Sequence, residues 1–183
     1  MPSLVDTTYF IGELNITGTE KQPVRERLCY MISIREPEFL RYALGYEFYE
    51  LFKAGVASNP IYQLLRDGGE YTLSNGNKQY WRGLANATLK ESPIAGYVYY
   101  WWMRDSQTQS TTMGEAETKP DNAERRNNGF KACRAFNAAI SKCRDMWCML
   151  TAAVDEDGSK LFSQFKADQV DTCQLQHINM HGI

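Results

Sequence analysis

The sequence has 183 residues, 43% hydrophobic and 23% charged with a net charge of −2, which is long enough to bury a core. Near-neutrality argues against a generic nucleic-acid binder, which carries a clear basic excess. The longest apolar run, residues 94–103, is about half of what a membrane span requires, and the N-terminus shows neither the basic start nor the apolar stretch of a secretory signal.

In chain order, residues 1–22 carry acids before any base, and β-branched and aromatic residues mix with Gly12 and Gly18, so an extended arm or edge strand is predicted. From Pro23 the period becomes helical through Val24, Leu28, Met31 and Ile32. Pro37 is placed to start a second helix, with Phe39, Leu40, Ala43, Leu44, Phe48, Leu51 and Phe52 on its stripe and Gly55 as its stop. Within that stripe Gly45 would cost about 1 kcal/mol of helix propensity, tolerable if another backbone packs on it.

Asn59-Pro60 and Gly68-Gly69 mark turns around a short helical turn at 61–66, and residues 71–77 read as a small hairpin or ordered loop. Helix is predicted to resume near Asn77, with Trp81, Leu84, Ala85 and Thr88 on one face. Ser92-Pro93 then looks like the N-cap and first position of the next helix, or a kink. That helix carries the run 97–103. Tyr97 shares a side with Trp101, Val98 with Trp102 and Tyr99 with Met103, so it is apolar all round: either a central core helix or a contact surface.

Residues 107–119 are polar, small and without apolar period, which reads as a long flexible loop. A long amphipathic helix is predicted over 121–154, with Ala132, Phe136, Ala139, Cys143, Met146, Leu150 and Ala153 as its stripe. The acidic Asp155-Glu156-Asp157-Gly158 ends it, Leu161, Phe162 and Phe165 suggest a short final helix, and the tail 171–183 reads as extended. The expected class is mainly α, as one domain over residues 1–183 without internal repeats.

Chemistry is sparse. His177 and His181 stand four apart, but metal sites need three or four ligands and no acid or cysteine lies between them. The 155–158 turn lacks the ligand spacing and closing Glu of a calcium loop. Phosphate-binding, nucleophile-elbow and dinucleotide motifs are missing, so no enzyme, cofactor or metal is predicted. The 5 cysteines form no C-x-x-C pair, which suggests reduced thiols in a cytoplasm. Residues 119–145 are net basic through Lys119, Arg125, Arg126, Lys131, Arg134, Lys142 and Arg144, whereas 150–183 are net acidic. Such separated patches suit copies packed head to tail in a ring, or else a solvated helix face.

Several stretches recur together in one order: Phe10 to Asn15 (FIGELN), Glu36 to Phe52 (EPEFLRYALGYEFYELF), Tyr80 to Leu84 (YWRGL), and Ser92 to Asp105 with the loop after it. They continue with Ala135-Phe136-Asn137, then Ile178-Asn179 and Gly182-Ile183. In this the chain resembles the head–tail connector (adaptor, or head-completion) proteins of tailed bacteriophages. The resemblance implies a bundle of about four or five helices with an N-terminal arm and a C-terminal tail. It also implies a closed ring of about twelve copies in the virion neck, made in the host cytoplasm. Its partners would be its own copies, the portal, the tail or further neck proteins, and DNA passing through the lumen without sequence-specific binding; no membrane is involved.

Under that resemblance the subunit interface would use Tyr97, Tyr100, Trp102, Arg125 and Arg126, with Val98 and Trp101 buried inside the subunit. Gln107, Gln109, Glu115 and Glu117 would line the channel, where a strongly basic loop would hold DNA rather than pass it. Ile178, Asn179, Met180, His181, Gly182 and Ile183 would meet the portal or a neighbouring ring. The alternatives are a nucleic-acid-binding module using the basic 125–144 helix face, and a small enzyme whose site is built from unrelated loops.

Overall fold

The computed structural model describes residues 3–106, 108–111, 114–117 and 129–179. The chain is mainly helical with a small sheet. Helix α1 (Gln22–Leu44) has Pro23 in its first turn, where the missing N–H costs nothing. It runs through Pro37 instead of starting there. Leu28, Met31 and Ile32 before the proline and Phe39, Leu40, Ala43 and Leu44 after it are all buried, so packing holds both halves together across the lost hydrogen bond.

The chain breaks instead at Gly45, with φ +74°. A Cβ there would lie 2.9 Å from Cβ of Gln169, so the position needs both the backbone freedom and the space of glycine. Helix α2 (Tyr46–Gly55) buries Phe48, Tyr49 and Phe52. Helix α3 (Pro60–Asp67) is capped by Asn59, whose side-chain oxygen accepts from Ile61 N–H at 2.9 Å, and it fills out the predicted helical turn.

The expected hairpin is present: β1 (Gly69–Leu73) pairs antiparallel with β2 (Lys78–Trp81), Glu70 opposite Tyr80 and Thr72 opposite Lys78. A short β5 (Ala153–Val154) covers the other edge of β1. The helix expected from Asn77 does not form. Trp81 ends a strand and donates its indole N–H to the Leu65 carbonyl at 2.9 Å, while Leu84 and Ala85 N–H donate to the Leu65 and Arg66 carbonyls. Those apolar positions are buried by reaching back to α3, and their helical spacing is incidental.

Ser92 caps α4 (Pro93–Asp105) through Ala95 N–H and donates its own hydroxyl to the Leu84 carbonyl at 2.6 Å. Helix α4 packs between α1 and α5 (Gly129–Ala152), with Gly96 close enough to α5 that a Cβ would stand 3.0 Å from the Ala135 carbonyl. The predicted α5 stripe is buried from Ala132 to Leu150. Cys143 is a fully buried core residue, and burial pushes its thiol above the ordinary range. All five cysteines are free.

Two further segments differ from expectation. Residues 3–16 form no strand: 3-10 turns at Thr7–Tyr9 and Gly12–Leu14 fold them onto the helices, burying Val5, Tyr9, Phe10 and Ile16. Leu161, Phe162 and Phe165 lie in turns, not a helix. The Phe162 and Phe165 rings stand 6.4 and 5.4 Å from Phe48, and the helical turn that follows them is 3-10, at Ala167–Gln169. Edge-to-face packing on α2 thus outweighs local helix propensity. Among the described residues no helix is long and apolar enough to cross a membrane.

Candidate functional site

The aromatic run sits at the seam between α1 and α4, and only part of it is disposed as expected: Val98 is fully buried, whereas Trp101 is not. Tyr97, Tyr100 and Trp102 are closed off within the chain, at 3%, 7% and 8% exposure, while Trp101 is partly exposed. Phe136 of α5 explains the first two: its ring lies 5.8 Å from Tyr97 and 4.8 Å from Tyr100. The Tyr97 hydroxyl donates to Glu38 Oε1 at 3.0 Å, and burial, reinforced by that carboxylate, raises its pKa well above the usual phenol value.

Around this seam the arginines stack. The Arg35 guanidinium holds Glu38 at 2.7 Å and lies 4.0 Å over the Trp101 ring. Arg104 stands 5.5 Å over the same ring and donates to the Tyr100 hydroxyl at 3.0 Å. Arg27 lies 5.1 Å over Trp102. Each stacked cation contributes about 0.5–1 kcal/mol where solvent reaches it. The surface of the run is therefore arginine on tryptophan. Arg35 and Glu38 escaped the sequence reading, although an i,i+3 pair of opposite charge was its available signal.

Helix α4 leads into an antiparallel ribbon, β3 (Thr108–Thr111) with β4 (Gly114–Glu117), in place of the expected irregular loop. Gln109 pairs with Ala116, Ser110 with Glu115 and Thr108 with Glu117. A two-stranded ribbon needs no apolar period, which is why none announced it. Apart from its partner strand, β3 packs chiefly against α4. Gln107 lies outside the described residues, as do Arg125 and Arg126.

The C-terminal tail runs along α5. Asn137 grips it as a second backbone would: its Nδ2 donates to the Ile178 carbonyl at 2.8 Å and its Oδ1 accepts from Ile178 N–H at 2.9 Å. The Cys133 thiol donates to the Asn179 carbonyl at 3.3 Å, Leu175 is buried, and Ser141 Oγ meets His177 Nε2 at 3.2 Å. Met180, His181, Gly182 and Ile183 lie outside the described residues. Among the described residues no three His, Cys, Asp or Glu side chains gather to hold a metal ion.

Replacing Asn137 with Asp should free the tail, because a carboxylate keeps the acceptor but turns the donor into a charge facing the Ile178 carbonyl. The loss is expected to be about 1–2 kcal/mol, read as faster amide exchange over residues 175–179 with α5 protection unchanged. Equal protection in the variant would show that the clamp does not hold the tail.

On the basic face, Arg134 pairs with Glu13 at 2.8 Å, Lys142 with Glu91 at 3.2 Å, and Lys131 lies 5.5 Å over the Tyr99 ring. The Arg134–Glu13 pair lies at the surface, both side chains more than half exposed. Comparison with protein-family models, curated proteins and solved structures gave no match.

Proposed function

We propose that this chain is a structural subunit of a phage neck, forming a ring between portal and tail that extends the DNA channel and docks the tail. The observation that carries the reading is the β3–β4 ribbon at the end of α4, which holds Gln, Thr, Ser and Glu and no base between residues 107 and 118. A ribbon of that composition facing a lumen would offer DNA hydrogen-bonding groups without the phosphate anchors that retard sliding. The ordered motifs from Phe10 to Ile183 support the same reading.

In this reading the five helices make the subunit's bundle, the ribbon that carries Gln109, Glu115 and Glu117 lies along the channel, and the tail beyond Ile178 meets the portal or the next ring. Trp101 with its arginines replaces Tyr97, Tyr100 and Trp102 as the contact offered by α4. Location in the virion neck and partnership with portal, tail proteins and further copies follow from the same proposal. Cryo-EM of the chain assembled on its cognate portal should show a closed ring with residues 108–117 toward the axis. A chain that joins neither a ring nor the portal would overturn the proposal, and an outward-facing ribbon would overturn the channel role.

A further inference from the structure

A groove of about 330 Å³ lies between the N-terminal turns, the loop before α4, and α5. Gly96, Ala135, Ala138 and Ala139 make its floor, so no long side chain of the chain itself fills it. Ile11 and Leu89 stand at its edge, both more than half exposed. Around the rim, Lys90, Arg134 and Lys142 outnumber Glu13 and Glu91, and Glu91 is shared with a further cation, Arg82. An apolar floor under a basic rim calls for an acidic, closely approaching partner.

The chain carries such a partner at the far end of the same helix. After β5, residues 153–161 double back as a tight finger: Leu161 N–H donates to the Ala153 carbonyl and Asp155 N–H to the Ser159 carbonyl, both at 2.9 Å. The Asp155 carboxylate stiffens the tip by accepting from the N–H groups of Asp157 at 3.1 Å and Ser159 at 2.8 Å. At that tip Glu156 and Asp157 are exposed and make no ion pair among the described residues, and Gly158 adds no bulk. About 21 Å of helix axis separates Ala138 from the finger, so one copy cannot fill its own groove.

We infer that the groove receives the 153–161 finger of a second copy, with Glu156 and Asp157 meeting the Lys90, Arg134 and Lys142 rim. Groove and finger are different surfaces, so the contact is heterologous and propagates head to tail, closing into a ring when the rotation allows. This inference rests on the phage-neck reading and names the surfaces by which its subunits join.

The test is native mass spectrometry of the full chain assembled on its portal, comparing wild type with Glu156→Lys/Asp157→Lys and with that pair combined with Lys90→Glu/Arg134→Glu. The first variant should lose at least tenfold in assembled ring while keeping the wild-type circular dichroism, and the fourfold variant should recover much of it. In parallel, Glu156→Cys/Ala138→Cys, with Cys29, Cys148 and Cys173 replaced by Ser, should form intermolecular 156–138 disulfides on oxidation. If wild type assembles and the charge reversal assembles equally well, the inference fails while the neck reading stands. If reversal blocks assembly without recovery in the fourfold variant and without the crosslink, the finger docks elsewhere and the groove assignment is overturned. If wild type never assembles, both readings fall.

Discussion

Replacing Gly83 with alanine should destabilise the fold by about 3 kcal/mol, combining a left-handed backbone penalty with overpacking against rigid neighbours. At φ +91° the position is one that L side chains rarely adopt, and a Cβ would stand 2.6 Å from the Asp67 carbonyl carbon and 2.7 Å from Gly68 N. The clash is reciprocal: a Cβ on Gly68 would lie 2.6 Å from the Trp81 carbonyl oxygen. Two stretches of backbone cross here with no side chain between them, and neither is a flexible tip that can step aside. Gly76 is the control. Its φ is +81° but nothing lies within 4 Å of its Cβ, so alanine there should cost only the conformational part, about 1 kcal/mol. Urea unfolding midpoints of the two variants measure the difference, and equal losses would show that the crossing is not tight.

The same crossing governs the loop that starts α4. Asn86 bridges it, donating to the Asp67 and Arg82 carbonyls at 3.1 Å and accepting from the N–H groups of Thr88 and Leu89. From there the chain reaches Glu91 and the Ser92 cap. Gly83→Ala should therefore also disturb the groove between this loop and α5, beyond the stability it removes.

What the sequence revealed and what it hid divide along one physical line. Ser92-Pro93 and the α5 stripe were legible because a cap and a 3.6-residue period are local properties that survive in any context. The α1 break was not. Pro37 is a local helix breaker, but burial on both sides of it carries the helix on, and the need for glycine at position 45 comes from Gln169, far along the chain. Trp81, Leu84 and Ala85 misled for the same reason: their apolar spacing fits a helix, while the carbonyls they answer to belong to α3. The α1–α4 seam shows the limit most plainly. That the aromatic run mattered could be read from its composition, but which members it exposes depends on Phe136 covering Tyr97 and Tyr100 and on Arg35 reaching Trp101.

Glu36 is the residue through which pH should act on the fold. It is 3% exposed on α1, and its carboxylate accepts from Leu4 N–H at 2.9 and 3.0 Å and from Val5 N–H at 3.1 Å, fastening the N-terminal segment to the helices. Glu36→Ala leaves those amides without their charged acceptor and should cost about 3 kcal/mol, with the segment ahead of Tyr9 becoming the first site of proteolysis. Burial raises the Glu36 pKa above its ordinary 4.5, against the opposing effect of the hydrogen bonds from Leu4, Val5 and Ser3. The unfolded chain thus ionises at lower pH than the folded one. The protonated form's contribution to stability is fully present below 4.5 and is lost as pH rises through the higher folded value. Glu36→Gln keeps an acceptor and cannot titrate. The stability of wild type relative to this variant should therefore fall as pH climbs from 4.5 and then level off once the folded carboxyl has ionised. Denaturant titrations of the two proteins across that range supply the measurement. A difference that stays flat would mean that the Glu36 carboxyl ionises equally easily in both states, and that the N-terminal segment is held by Val5, Tyr9 and Phe10 burial without a pH-sensitive latch.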